Sequence, residues 1–122
     1  MDKHIAERWV QALRSGQYQQ GQHELHPDEN SYCCLGVLCD LYRVEQGKGE
    51  WTTNKYGIGG VFQIGPDDLE TGVLPQSVKD WAGMHSSVGE IFGTVDALSA
   101  LNDEGMEFPE LADLIEKKWE VL

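Results

Sequence analysis

Three cysteines fall within seven positions of the stretch YCCLGVLCDLY, residues 32–42, in which Asp40 carries the one charge. A thiolate is both a nucleophile and a soft metal ligand, so the cluster poses two chemistries, covalent catalysis and zinc binding. A helix start stabilises a thiolate, which makes Cys33 and Cys34 the candidate nucleophiles, with His23 and His26 the nearest bases in sequence. The run matches no thiol-enzyme signature, so a cysteine-dependent enzyme ranks third, behind two modes of binding. His23, His26, Cys33 and Cys34 also give four zinc-competent donors within twelve residues. Successive helical side chains diverge by about 100°, however, and no C-x-x-C is present. We expect no metal, no cofactor and no catalytic residue, and read the cysteines as small core side chains.

Recognition of a phosphate-bearing ligand is a further chemistry. A helix beginning in this stretch would offer the backbone N–H groups of Ser31 to Leu35 to an anion, and Gly36 would permit close approach. The turn after Gln20 and the turn at Asn102–Asp103 would flank it. Trp51 or Tyr56 would stack on a base, and Arg14, Arg43 or Lys55 would offset charge. The expected ligand-binding residues are therefore Gln20, Ser31, Tyr32, Cys33, Cys34, Trp51, Tyr56, Asn102 and Asp103. The glycines of NKYGIGG, residues 54–60, lack the strand-to-helix context and the lysine of a phosphate loop, and read as a hairpin tip. LNDEG joins two helices, but the second presents Glu110, Asp113 and Glu116, the wrong sign for a DNA groove. Calcium-loop spacing is absent as well.

The elements that must position these residues follow from periodicity. Residues 2–15 carry Ile5, Trp9 and Leu13 four apart, with Asp2 before and Gly16 after, which predicts an amphipathic helix. Residues 17–31 read as a loop or short hairpin arm. The cysteine stretch, apolar nearly all round, predicts a buried central helix. Glu50–Thr53 and Gly60–Ile64 predict a small antiparallel sheet. A helix is expected from Pro75 with Val78, Trp81 and Ala82 inward, and short strand character at Gly89–Phe92. Another helix is expected from a Thr94 cap through Val95, Leu98 and Leu101. The last helix starts at Pro109 and buries Leu111, Ile115, Trp119 and Leu122 beside Phe108. The fold class is α+β: one compact domain over residues 1–122, mostly helical, with a small antiparallel sheet around a buried central helix.

The 122 residues carry 21 acids against 9 lysines and arginines, a net charge of −12. Such a field repels phosphate backbones and argues against direct nucleic-acid binding, while it attracts a basic protein surface. No apolar run approaches the roughly 20 residues of a membrane span, and an odd cysteine count suits a reduced cytoplasm.

Four segments together resemble a group of small, mostly uncharacterised proteins encoded by bacteriophages and prophages. They are WVQALRSGQYQQGQHEL (9–25), YCCLGVLCDL (32–41), LPQSVKDWAG (74–83) and LSALNDEGMEFPELADLIE (98–116), about half the chain. The resemblance implies a phage product acting in the bacterial host cytoplasm and carries no catalytic residues with it. Small phage proteins often counter host defence. The leading expectation is thus a non-enzymatic protein that sequesters a small nucleotide-derived immune signal. The alternative is an acidic inhibitor that binds a basic host defence protein through Glu110, Asp113, Glu116 and Glu120, mimicking nucleic acid. Self-association is compatible with either.

Overall fold

The stripe of residues 2–15 forms the first helix. The computed structural model describes residues 1–53 and 59–122, and in it α1 spans Lys3–Arg14. The Asp2 carboxylate caps it by accepting from the Ile5 amide at 3.0 Å. Strands β1 (Gln19–Gln20) and β2 (Ser31–Tyr32) follow, then α2 (Cys34–Gln46), β3 (Glu50–Thr53), β4 (Gly60–Gly65) and β5 (Asp68–Glu70). Helices α3 (Gln76–Ala82), α4 (Leu98–Asp103) and α5 (Phe108–Lys118) complete the order, with one 3-10 turn at Trp119–Val121.

Helix α2 is the rod at the centre. Cys34 to Asp40 are buried without a break, Tyr42 is buried after them, and α1, α3 and α4 pack around the helix. Gly47, at φ 63°, ends the helix in the left-handed conformation that glycine adopts at little cost. Inside the helix Gly36 is a packing requirement, because a Cβ there would overlap the Leu25 carbonyl oxygen. Helices α1 and α5 lie against each other, and one buried cluster joins Trp9, Leu38, Phe62, Leu98, Leu111 and Ile115. At the start of α5, Glu107 and Glu110 form a reciprocal capping box, and Lys117 and Lys118 fall in its last turn, each matched to the helix dipole.

The α+β architecture agrees with the sequence reading, and the differences are local. Residues 17–31 are more than a loop: Gln19 and Gln20 pair in parallel with Ser31 and Tyr32. The small sheet has the order β3-β4-β5, so a third strand, too short to show alternation, joins the two expected ones. Residues 89–92 contribute one bridge, Glu90 to Ala97. Thr94 caps no helix. Its hydroxyl donates to the Ile91 carbonyl and accepts from the Asp96 amide, which closes a turn and delays α4 until Leu98. Trp81 and Trp119 are half-buried at the edge of the core, whereas Trp9 is fully enclosed. Among the described residues no helix is long and apolar enough to cross a membrane.

Candidate functional site

The residues expected to bind a ligand separate into two groups. The first closes on itself around Asn102, which is fully buried. Its Oδ1 accepts from the Cys34 amide at 3.2 Å and from Gln20 Nε2 at 2.9 Å, while its Nδ2 donates to the Gly21 carbonyl at 2.9 Å. Gln20 completes a circuit, donating also to the Met106 carbonyl and accepting from the Phe108 amide at 2.9 Å. Asp103 accepts from the His23 amide at 2.8 Å, at the one non-glycine residue with positive φ among those described. Two side chains, Asn102 and Gln20, therefore tie the start of α2 to β1, α4 and the start of α5.

This circuit corrects the expectation of an open anion site at Ser31–Leu35. The helix begins at Cys34 rather than Ser31, and its leading residues are buried. The Cys33 amide donates to the Leu25 carbonyl at 3.1 Å, and Asn102 occupies the Cys34 amide. Of the cations meant to offset phosphate charge, Arg14 is held by Asp113 and Glu116, and Arg43 by Asp40. Tyr56 and Lys55 lie outside the described residues.

The thiols share the enclosure. Burial pushes Cys33 up to about 11, against an ordinary 9.0, and raises Cys34 and Cys39 well above that value. A thiol so raised is almost wholly protonated at neutral pH and is a poor nucleophile. His26, one of the two histidines nearest in sequence, is turned elsewhere, with its Nδ1 2.6 Å from the Ser31 carbonyl oxygen. Among the described residues no three His, Cys, Asp or Glu side chains converge as a metal site would require.

The second group opens onto solvent. Pro27 biases His26 toward extended backbone, and Asp28 accepts from the Asn30 amide at 2.8 Å, so HPDEN forms a fixed turn. His26 bridges to Gly60 of β4, where a Cβ would stand 2.9 Å from the His26 Cβ; glycine lets the turn lie directly on the sheet. The imidazole stacks on Tyr32 at 4.0 Å with 9° between planes, and Trp51 meets both rings edge-on. Trp51 is aimed by Asp40, which accepts from its Nε1 at 3.0 Å, from Tyr18 Oη at 2.7 Å and from Arg43 Nε at 2.9 Å. Burial works to raise the Asp40 pKa, but these three donors outweigh it and hold the carboxyl below its ordinary value.

Between the turn and the strands lies a cleft of about 360 Å³, lined by His26, Pro27, Asp28, Glu29, Trp51, Thr52, Thr53, Gly59 and Gly60. That volume falls in the range of small-molecule sites, roughly 300–1,000 Å³. Among the described residues its wall holds two carboxylates and neither lysine nor arginine. It offers an aromatic face, threonine hydroxyls and hydrogen-bond acceptors, a lining suited to flat ligands rich in N–H groups.

A family model described as Domain of unknown function (DUF8296) matches residues 1–119. The chain belongs to that family. No curated protein and no solved structure matches it. Within this DUF8296 chain, then, Gln20, Cys34, Asn102 and Asp103 bind one another and the backbone, Trp51 lines the cleft, Tyr32 stacks on the His26 ring, and the Ser31 carbonyl lies against His26 Nδ1. Sequence reasoning misses most of this site, since it treats His26 only as a base or metal ligand and Asp40 only as an interruption, and does not single out Asp28 or Glu29. The Pro-Asp-x-Asn turn after His26 is the available signal for the cleft wall.

A second hollow of about 350 Å³ runs between α1 and α5 of the DUF8296 fold, with Ala6 and Val10 among its lining residues. Arg14 and Glu116, which form an ion pair, both line it.

Proposed function

We propose that this protein acts by binding and not by catalysis, and that the cleft over Trp51 and His26 takes the flat, amino-bearing part of a small nucleotide-derived ligand. Carried by a phage, such capture would withdraw an immune signal in the host cytoplasm. The observation that supports the reading is the lining of the cleft. An aromatic face meets a base, and the carboxylates of Asp28 and Glu29 accept from exocyclic amines. The phosphates of such a ligand would point to solvent, since the buried start of α2 has no room for them.

Thermal-shift screening against nucleosides, nucleotides, cyclic dinucleotides and ADP-ribose derivatives tests this. A true ligand at about 100-fold excess over Kd stabilises by about 2.7 kcal/mol, and Glu29→Lys should abolish the effect while leaving the unliganded melting temperature unchanged. No shift with any of the four classes would refute the proposal.

The charge favours a second reading, an acidic inhibitor of a basic host protein. Glu110, Glu116, Glu120 and Asp113 are exposed on and after α5, although Arg14 already pairs with two of them. Inhibition that disappears with rising salt, and that needs no small ligand, would favour it.

A further inference from the structure

The turn from Ile91 to Asp96 holds two large apolar side chains in water. Phe92 is 74% exposed and Val95 fully so, the most exposed large hydrophobic residues among those described. The turn is tightly pinned. The Ile91 amide donates to the Asp96 carbonyl at 2.9 Å, and the Thr94 amide and hydroxyl both donate to the Ile91 carbonyl, at 3.0 and 2.8 Å. The Asp96 amide donates to the Thr94 hydroxyl at 3.0 Å, and the Phe92 amide to the Val121 carbonyl at 2.9 Å, anchoring the turn to the 3-10 segment. Gly93, at φ 88°, permits the reversal. Isolated exposed apolar residues are ordinary, but two fixed on one hydrogen-bonded turn are preorganised for contact.

The charged residues within the turn and beside it in sequence are acidic. Glu90 and Asp96 are exposed at its two ends, which the Glu90–Ala97 bridge closes, and exposed Glu120 precedes Val121. No lysine or arginine occurs between Lys79 and Lys117. Among the described residues the one ring against Phe92 is His85, edge-on at 6.1 Å.

We propose that this turn is a protein-docking knob, Phe92 and Val95 seating in an apolar pocket whose rim on the partner is basic. A second copy of this chain, bearing the same acidic rim and a net charge of −12, is a poor occupant, and an anionic membrane is repelled in the same way. The surface is separate from the cleft and does not depend on a ligand there.

Panning a random cyclic-peptide display library on the wild-type protein, with counter-selection on Phe92→Ser/Val95→Ser, tests the partner chemistry. Surviving peptides should be rich in Lys and Arg beside apolar residues. They should lose about tenfold or more in affinity for the double variant, and again as salt rises from about 50 to about 500 mM. Glu90→Gln/Asp96→Asn should weaken them with the apolar tip intact, and Trp51→Phe should not. The double serine variant should keep the wild-type melting temperature; a fall would make both residues structural and overturn the proposal. It is also overturned by no survivors, by uncharged or salt-insensitive survivors, by a wild-type dimer that the double variant loses, or by binding to vesicles of about 30% phosphatidylglycerol that the variant loses.

Discussion

Asn102 caps the helix of the thiols from 68 residues away in sequence, its Oδ1 standing 3.2 Å from the Cys34 amide. The same oxygen holds Gln20, and the amide nitrogen of the side chain holds the Gly21 carbonyl. Asn102→Ala would leave the Cys34 amide and the Gly21 carbonyl without this partner and remove one of the two acceptors of Gln20 Nε2. A loss of about 3–5 kcal/mol in unfolding free energy is expected, a large part of the 5–15 kcal/mol typical of a domain. Urea titration at neutral pH measures it; a loss below about 1 kcal/mol would show that these bonds are dispensable.

The buried thiols predict alkaline lability. Folded Cys33 keeps its proton up to about pH 11, whereas an unfolded cysteine releases it near 9.0. The folded state therefore binds more protons in that window, and stability is whole below pH 9 and falls as pH rises toward 11. The loss is about 3 kcal/mol from Cys33 alone at 1.36 kcal/mol per unit, and Cys33→Ala should flatten this limb. A thiol-specific reagent at pH 8 should leave the native protein unmodified and label three thiols after denaturation. Rapid labelling of the native state would restore a reactive-cysteine reading.

Asp40 carries the opposite dependence. Its folded pKa lies below the ordinary 3.8, so its contribution is present above that value and is lost as pH falls through the folded one. Asp40→Asn should cost about 1–3 kcal/mol at neutral pH, and the gap to wild type should narrow as pH drops from about 5 to about 2. Because Asp40 also holds the Trp51 indole, the variant should shift tryptophan emission. Parallel acid limbs for the two proteins would count against this role.

Helices α1 and α5 are legible in the sequence because their apolar residues recur at three and four, and that spacing alone decides which face is buried, whereas α2 is legible because it is apolar nearly all round. The start of α4 is not. Thr94 has the chemistry of a helix cap, yet its hydroxyl serves a turn that leaves Val95 in water. Gln20 and Asn102 stand out as polar residues beside turns, a feature shared by ligand sites and by buried hydrogen-bond hubs. Only the pairing of segments 82 residues apart distinguishes the two, and no local pattern encodes it. The cleft is hidden for the same reason, since it exists where the His26 turn lies on Gly60.

The central claim is that the cysteine helix is scaffold and that recognition happens over Trp51. The most direct measurement is an ¹⁵N-resolved spectrum of the four tryptophan indoles and the backbone amides during titration with the compound giving the largest thermal shift. The Trp51 indole and the amides of His26, Asp28 and Glu29 should move together, while those of Cys34 and Asn102 stay still. Saturable shifts at Cys34 and Asn102 with Trp51 unmoved would contradict the account.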